Sequence, residues 1–272
     1  MKRAGKIFTV LIFLFLYLPI FLLIVSSFNA GRDMSVFKGF TFHNYGELFA
    51  DHTLLPLLGN SVVVALLSSL IATVLGTAAA LGIQRLGPRM RAASMAVTNI
   101  PMTNPEIVTG VSLALLFAFV GRLLRMNNVL GFATLLIAHI TFNLPYVILS
   151  VLPKLRQMDP SLTDAALDLG CKPWQAFFKV TIHEIMPGIA SGALMAFTMS
   201  LDDFVISYFV YGPGFVTLPV EIYNYTKKPL PPKIYALFTL LFFAILLLMA
   251  GMNLLQARDE KRQKARGRRG VS

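Results

Sequence analysis

The sequence predicts an all-α membrane protein with six transmembrane helices and a short cytoplasmic helix between the fourth and fifth of them. Of its 272 residues, 56% are hydrophobic and 14% are charged, whereas a soluble globular protein carries about a quarter charged residues. Six apolar stretches are long enough, or nearly so, to cross about 30 Å of hydrocarbon. A water-soluble core of this size has no room for so much apolar surface.

The six stretches form one transmembrane domain, residues 1–272. The first exceeds the apolar region of a signal peptide and no A-x-A site follows it, so we expect an uncleaved span. The third contains two prolines, an asparagine and Glu106 in IPMTNPEIVTG, which predicts a broken or kinked helix. The expected spans cover residues 7–28, 58–83, 96–121, 129–152, 185–211 and 234–256.

The distribution of basic residues predicts that both termini are cytoplasmic. With this orientation, 17 of the 24 Lys and Arg residues lie on the cytoplasmic side and 7 on the other, as the positive-inside rule requires. The basic tail 257–272 is compatible with nucleic-acid binding. Because the tail follows a membrane span directly, we interpret it as an anchor on membrane lipid and expect no nucleic-acid partner.

Motifs for metals, disulfides and nucleotides are missing from the sequence. Cys171 is the single cysteine and the four histidines lack metal-ligand spacing, so we expect neither an intrachain disulfide nor a metal site. The phosphate-binding pattern GxxxxGK[ST] does not occur. We therefore expect no cofactor and no enzymatic activity in this chain.

The longest cytoplasmic loop, residues 153–184, contains its own helix signals. In DPSLTDAALDLG, Asp159 suits the N-cap, Pro160 the first helical position and Gly170 the residue just past the end. A second helix is expected to open at 172. The first helix has one apolar stripe, which predicts either a position in the lipid interface or docking into a partner's groove; the pattern alone leaves both open.

This loop resembles the cytoplasmic signature of ABC importer permeases, E-A-A-x-x-x-G followed by I-x-L-P. The matching residues are Asp164, Ala165, Ala166 and Gly170, while His183 stands where the family has proline. Three further stretches resemble permeases of spermidine/putrescine importers, and more closely the second of the two permease subunits. They are AHITFNLPYVILSVLPKL (138–155), SLDDFVISYFVYGPGFVTLPVEIY (200–223) and NPEIVTGVSL (104–113).

The resemblance implies a type I ABC importer permease fold in a bacterial inner membrane. It also implies a homologous permease subunit that completes a heterodimer, an extracytoplasmic polyamine-binding protein, and a cytoplasmic ATPase dimer that binds ATP and Mg²⁺. The short loop helix would be the coupling helix that enters a cleft of the ATPase. Asp164, Ala165, Ala166 and Gly170 would form this contact, and Trp174 is either a further contact or an interface anchor.

Two adjacent carboxylates, Asp202 and Asp203, are the most unusual feature of the apolar stretches. A carboxylate in mid-bilayer costs about 2.5–3.5 kcal/mol on insertion scales. In a polyamine importer, carboxylates would replace water lost by the ammonium groups, with Ser200 as a neutral acceptor. On one helix the two acids point about 100° apart, so one can face the pathway while the other pairs elsewhere. The alternative is a structural bond to a neighbouring helix.

Glu106 and Tyr208 complete the candidate pathway. Glu106, at the proline break, is either a pathway acid or a helix cap. Tyr208 belongs to an aromatic group that suits cation–π contacts or an interfacial belt. Rival functions are import of another small cationic or organic solute and passive cation conduction. An intramembrane aspartyl protease is disfavoured, because neighbours on one helix cannot face each other across a water.

Overall fold

The computed structural model describes residues 2–31, 36–126, 128–226 and 230–269, and these residues are overwhelmingly helical. Within them the only β pairing is two isolated bridges. Six helical segments are long and apolar enough to cross a membrane, so the predicted all-α class and span number are confirmed. The elements are α1 (Lys2–Ser27), α2 (His43–Phe49), α3 (Leu54–Arg85), α4 (Pro88–Thr103), α5 (Glu106–Leu123), α6 (Phe132–Gln157), α7 (Pro160–Asp168), α8 (Pro173–Ala176), α9 (Ile182–Asp202), α10 (Val205–Val210), α11 (Leu218–Thr226) and α12 (Pro232–Arg269).

The chain divides into two compact units. One joins the amino-terminal part as far as Leu55 with the carboxyl-terminal part from Tyr225, and the other covers Pro56–Asn224. In the second unit α6 is the central helix, because both of its apolar core clusters contain α6 residues. One cluster packs α6 against α3 and α9, and the other packs it against α5 and α10. The candidate pathway residues all lie in this unit.

Small residues allow α3 and α9 to approach α6 closely. A Cβ atom on Gly76 of α3 would come within 2.7 Å of Val147 Cγ1, and one on Gly192 of α9 within 3.2 Å of the Val147 Cα. Val147 itself is fully buried. Membrane helices associate through such close van der Waals packing, because lipid tails are as apolar as their side chains. Gly76 therefore sets the spacing of α3 on α6, and Gly192 sets the spacing of α9 on α6.

The expected third span, 96–121, is two helices. α4 ends at Thr103 and α5 begins at Glu106, with extended backbone at Asn104. Pro105 explains the break, since a proline disfavours helical backbone at the residue before it. The apolar membrane-length segment is Glu106–Leu123. The predicted break is confirmed, and the span begins at 106 rather than 96.

The prediction that the fifth span, 185–211, is a single helix is wrong. α9 ends at Asp202, Asp203 has extended backbone, and α10 is a separate short helix from Val205 to Val210. At its other end α9 continues a π-helical turn, Phe177–Thr181, that follows α8, so the membrane-length segment is Pro173–Asp202. The two aspartates therefore lie at a helix end and not within a continuous helix. Side-chain capping by Asp203, described below, explains the interruption.

The first unit is held by an ion pair between the segment before α3 and the start of α12. Lys233 Nζ lies 2.5 Å from Asp51 Oδ2, and Asp51 Oδ1 accepts hydrogen bonds from the backbone N–H groups of Thr53 and Leu54. Burial raises the pKa of Asp51, but these bonds outweigh burial and lower it to about 2. The stabilisation is therefore present above an unfolded-state pKa of about 3.9 and is lost as the pH falls through 2.

The predicted lipid-anchoring tail lies partly outside the described residues. The backbone of α12 continues to Arg269, but the side chains from Met252 onward are not described. The basic residues Arg32, Lys227 and Lys228, which enter the predicted charge asymmetry, also fall outside the described part.

The α3–α6 contact provides a matched pair of glycine substitutions. In Gly76→Ala the new methyl group overlaps Val147, and overpacking of this kind costs about 1–3 kcal/mol. Gly82→Ala on the same helix meets nothing within 4 Å and should be neutral or stabilising by up to about 1 kcal/mol, because alanine favours helix. Thermal melting of the detergent-purified protein should therefore fall for Gly76→Ala alone. Equal melting of the two variants would show that this contact is not tight.

Candidate functional site

Asp203 caps the short helix α10 with its side chain. Asp203 Oδ1 accepts a hydrogen bond from Ile206 N at 3.2 Å, and Oδ2 accepts from Ser207 N at 2.8 Å and from Ser207 Oγ at 2.8 Å. The first N–H groups of a helix have no intrahelical acceptor, and an aspartate at the N-terminus supplies one. The Asp203 carboxylate thus satisfies backbone groups that the helix break leaves unpaired.

His139 on α6 connects this cap to α9. Its Nε2 lies 2.9 Å from Ser207 Oγ and 3.4 Å from Asp203 Oδ2, and its Nδ1 lies 2.5 Å from Ser200 Oγ. Ser200 Oγ in turn lies 2.9 Å from Ser68 Oγ on α3. We call His139, Ser200, Asp203, Ser207 and Ser68 the polar network. The side chains of His139 and Asp203 are only 2% and 4% exposed, so the network is internal to the second unit.

Asp202 lies directly before the network but outside it. Its side chain is exposed, and within the described part of the chain no hydrogen bond or ion pair holds its carboxylate. Asp203 beside it interacts with Asp202 as a like charge. Of the two adjacent acids, one is therefore used inside the protein and the other remains available at the surface of the helix break.

Glu106 occupies the first position of α5, next to α10. One turn further along α5, a Cβ on Gly110 would come within 2.9 Å of Phe209 Cδ2 and 3.4 Å of Ile206 Cα, so α5 packs closely on the helix that follows the break. The Glu106 side chain is exposed and close enough to the Tyr146 hydroxyl on α6 to interact with it electrostatically. Glu106 and Asp202 are thus exposed acids at helix ends, Glu106 at the start of α5 and Asp202 at the end of α9.

Aromatic rings surround the start of α10. The ring of Tyr208 lies 5.4 Å from that of Phe204 and 5.7 Å from that of Tyr223, measured between centroids. Phe204 and Tyr223 are 4.6 Å apart. Tyr208 remains 39% exposed. This group can offer ring faces to a cation beside the break.

The helix predicted between the fourth and fifth spans is confirmed as α7. Asp159 accepts a hydrogen bond from Ser161 N at 2.9 Å, which lowers the pKa of the Asp159 carboxyl below its usual value. Gly170 ends the turn with φ +85°, a left-handed conformation that glycine adopts without steric cost. The loop itself is shorter than the expected 153–184, because α6 runs to Gln157 and α8 begins at Pro173.

Large apolar side chains on and after α7 remain uncovered in the chain. Leu169 is 87% exposed, Trp174 61% and Phe178 63%. Asp164 and Ala165 are exposed and Ala166 is half-buried. His183, in the first turn of α9, is also exposed, and the π-helical turn leads into α9 without interruption at this position.

The structure brings Ser200 and Asp203 together through His139 and leaves Asp202, Glu106 and Tyr208 exposed. The sequence-based reasoning missed His139, Ser207, Ser68 and Tyr146 as members of this region. One signal was available: His139 is a polar residue inside an apolar span, where polar groups need an internal partner. Its particular partners lie 61 and 68 positions away along the chain, beyond the reach of local patterns.

Comparison with known sequences identifies one family and several relatives. The family described as "Binding-protein-dependent transport system inner membrane component" matches residues 72–264. The putrescine transport system permease protein PotI of Escherichia coli (strain K12) is 38% identical over 263 residues, which cover 95% of this chain and 93% of that protein. The spermidine/putrescine transport system permease protein PotC of the same strain is 35% identical over 258 residues, covering 95% and 94%.

Solved structures share the architecture. A chain of a bacterial ABC transporter involved in the import of the acidic polysaccharide alginate superposes with a TM-score of 0.73 over 92% of this chain and 94% of that chain, at 17% identity. A chain of the MetNI methionine ABC transporter in an inward-facing conformation gives a TM-score of 0.59 over 75% and 95%, at 19% identity. At such low identity these likenesses establish the fold alone.

The capping role of Asp203 predicts unequal effects of truncating the two aspartates. Asp203→Ala leaves the N–H groups of Ile206 and Ser207 without an acceptor, which should cost about 2–4 kcal/mol and lower the melting temperature by several degrees. Asp202→Ala removes no internal bond and should melt near the wild-type temperature. Both can be measured by thermal unfolding in detergent. An Asp203→Ala variant as stable as Asp202→Ala would contradict the cap.

Proposed function

Because the chain belongs to the family of binding-protein-dependent transport system inner membrane components, we propose that it forms half of the pathway of an ATP-driven polyamine importer. The family and the solved structures establish an ABC importer permease with the predicted type I fold. The proposed substrates are putrescine and spermidine, the compounds in the names of two relatives that align over 95% of this chain. Import of these amines accounts for acidic side chains left exposed at a break between apolar helices.

One observation carries the assignment of substrate charge: the Asp202 carboxylate is exposed at the α9 break and has no internal partner among the described residues. An ammonium group that enters a narrow path loses hydration, and a carboxylate at that depth replaces part of it. At 4 Å this attraction is about 4 kcal/mol at an effective dielectric constant near 20. Contact with the cation also offsets the insertion cost of the acid itself.

The remaining candidates receive distinct roles in this proposal. Glu106, at the start of α5, supplies a second carboxylate, which suits a substrate that carries more than one ammonium group. Tyr208 offers an aromatic face, and a cation–π contact contributes about 0.5–2 kcal/mol. Ser200 and Asp203 serve the pathway from inside, by holding the helix break that presents Asp202.

On the cytoplasmic side, α7 is proposed to be the coupling helix for a separate ATPase dimer. The support is a helix with a defined cap whose neighbouring Leu169 and Trp174 are largely exposed. Asp164, Ala165, Ala166 and Gly170 lie on the same segment, which carries the family's loop pattern. In this proposal ATP and Mg²⁺ bind the partner, and this chain contributes no catalytic group.

The proposed assembly contains a homologous permease subunit as the other half of a heterodimer, and an extracytoplasmic polyamine-binding protein. The family description supports a binding protein and an inner-membrane location. Both termini of this chain are proposed to be cytoplasmic, as the excess of basic residues in the corresponding loops supports. This orientation places α7 on the side where ATP is available.

Neutralising the pathway acids should reduce transport without loss of assembly. In Asp202→Asn and Glu106→Gln the size of the side chain is kept and its charge removed. Loss of about 1.4 kcal/mol of cation stabilisation lowers uptake tenfold, and we expect at least this effect for Asp202→Asn. Uptake of labelled putrescine and spermidine should be measured in proteoliposomes that contain the complete complex and normalised to assembled complex.

Glu184→Gln is the matched control, because Glu184 is an exposed acid in the first turn of the same helix, α9, at its opposite end. It should transport at the wild-type rate. Full normalised uptake by both Asp202→Asn and Glu106→Gln would remove these residues from the pathway.

Gly170→Leu tests the coupling helix. A leucine is strained at φ +85°, so the turn that presents α7 should shift while the membrane helices remain inserted. Uptake should fall, and the ATPase should either dissociate from the membrane complex or lose its stimulation by substrate-loaded binding protein. Gly87→Leu is the control, since Gly87 has φ −61° and open space around its Cβ. Normal stimulated turnover in Gly170→Leu would show that this loop does not couple the ATPase.

A further inference from the structure

We propose that His139 is a positioning residue for transport: through the polar network it fixes the break between α9 and α10 and thereby the location of the Asp202 carboxylate. This inference rests on the proposed function, because it assigns Asp202 to the cation. His139 itself is buried and does not contact the pathway in this proposal. Its effect passes through Ser200, on the helix before the break, and Ser207, on the helix after it.

The hydrogen bonds of Ser207 fix the proton on one nitrogen of the His139 ring. The Ser207 hydroxyl donates to Asp203 Oδ2, so its oxygen is left as the acceptor for His139. Nε2 must therefore carry a proton and donate to Ser207 Oγ at 2.9 Å. Nδ1 forms the second hydrogen bond of the ring, with Ser200 Oγ at 2.5 Å. One ring thus connects the last turn of α9 with the first turn of α10.

The network gives the break a defined position that backbone bonding alone does not supply. Asp203 and Phe204 lie between the two helices, and the backbone there has no continuous helical ladder. His139 is part of α6, whose neighbouring residues Leu135, Ala138 and Phe142 belong to a buried core cluster. A side chain anchored in this core and bonded on both sides of the break prevents the two helix ends from moving independently.

Asp202 gains its location from this arrangement. It is covalently joined to Asp203, whose carboxylate is held by three hydrogen bonds, and it lies two positions after Ser200, which His139 and Ser68 both contact. The backbone on both sides of Asp202 is therefore restrained, by Ser200 before it and by Asp203 after it. Catalytic and transport groups act best when their neighbours restrain them, since a misplacement of about 1 Å has large effects on rate.

The first test measures maximal uptake and KM separately in the complete transport complex. In His139→Ala, we expect maximal uptake of labelled putrescine per assembled complex to fall at least tenfold. The KM for substrate-loaded binding protein should stay within about threefold, because delivery to the complex does not involve the network. His139→Gln retains an N–H donor near the Nε2 position and should recover uptake to within about threefold of wild type.

Two adjacent serines on α3 supply a matched comparison. Ser68 is bonded to Ser200 and belongs to the network, whereas Ser69 is equally a buried serine but donates only to the backbone oxygen of Leu66. Ser68→Ala should lower normalised uptake about two- to fivefold, and Ser69→Ala should leave it unchanged. This pair, together with His139→Gln, keeps the proposal testable if His139→Ala does not assemble.

The double variant His139→Ala/Asp202→Asn separates a positioning role from an independent one. If His139 acts through Asp202, the double variant should be no slower than Asp202→Asn, because a residue that only positions the Asp202 carboxylate has no further effect once that carboxylate is removed. If the uptake losses of the two single variants multiply in the double variant, the inference is overturned. It is also overturned if the His139 and Ser68 variants lose complex yield while uptake per assembled complex stays normal. Absence of putrescine and spermidine uptake by the wild-type complex would instead overturn the proposed function.

Discussion

The structure of the second unit depends on one constraint: a helix that ends among apolar surroundings must satisfy its backbone groups within the protein. At the end of α9 the Asp203 carboxylate meets this requirement by accepting bonds from Ile206 and Ser207. The buried Asp203 carboxylate also requires partners for its charge, and the Ser207 hydroxyl and His139 provide them. Because His139 lies on α6, the same bonds attach the break to the central helix, and α5 packs on the short helix that results.

The two adjacent aspartates show how neighbours of identical chemistry receive different roles. In a continuous helix they would differ only in direction, by about 100°. The break makes the difference larger, since Asp203 leaves the helix and turns its carboxylate into the protein while Asp202 remains as the exposed last residue of α9. The buried acid provides structure and the exposed acid provides available charge. This division leaves Asp202 exposed for the proposed pathway, to which Glu106 and the ring of Tyr208 are also assigned.

The helix α7 and the α9 break differ in how their conformations are specified. α7 is defined by neighbouring residues: Asp159 bonds two positions ahead, and Gly170 takes the left-handed backbone at the end. Its large exposed neighbours Leu169 and Trp174 are left for another surface. The α9 break, in contrast, is maintained by side chains from α3, α6, α9 and α10. The conformation of α7 therefore depends on local signals, whereas the position of the break depends on its surroundings.

The sequence by itself determined the all-α membrane class, six spans, the interruption near Pro105 and the cap and end of α7, because each follows from apolar length or from residues within a few positions. It did not determine where the fifth span ends or which aspartate is buried. Residues 185–211 are apolar enough to form one helix, and no residue near Asp203 in the sequence indicates that Asp203 pairs with His139 on α6. Only the tertiary structure decided these points. The close packing of Gly76 on α3 and Gly192 on α9 against Val147 of α6 aligns these helices, and this alignment brings His139 to Ser200 and to the capped helix beyond it.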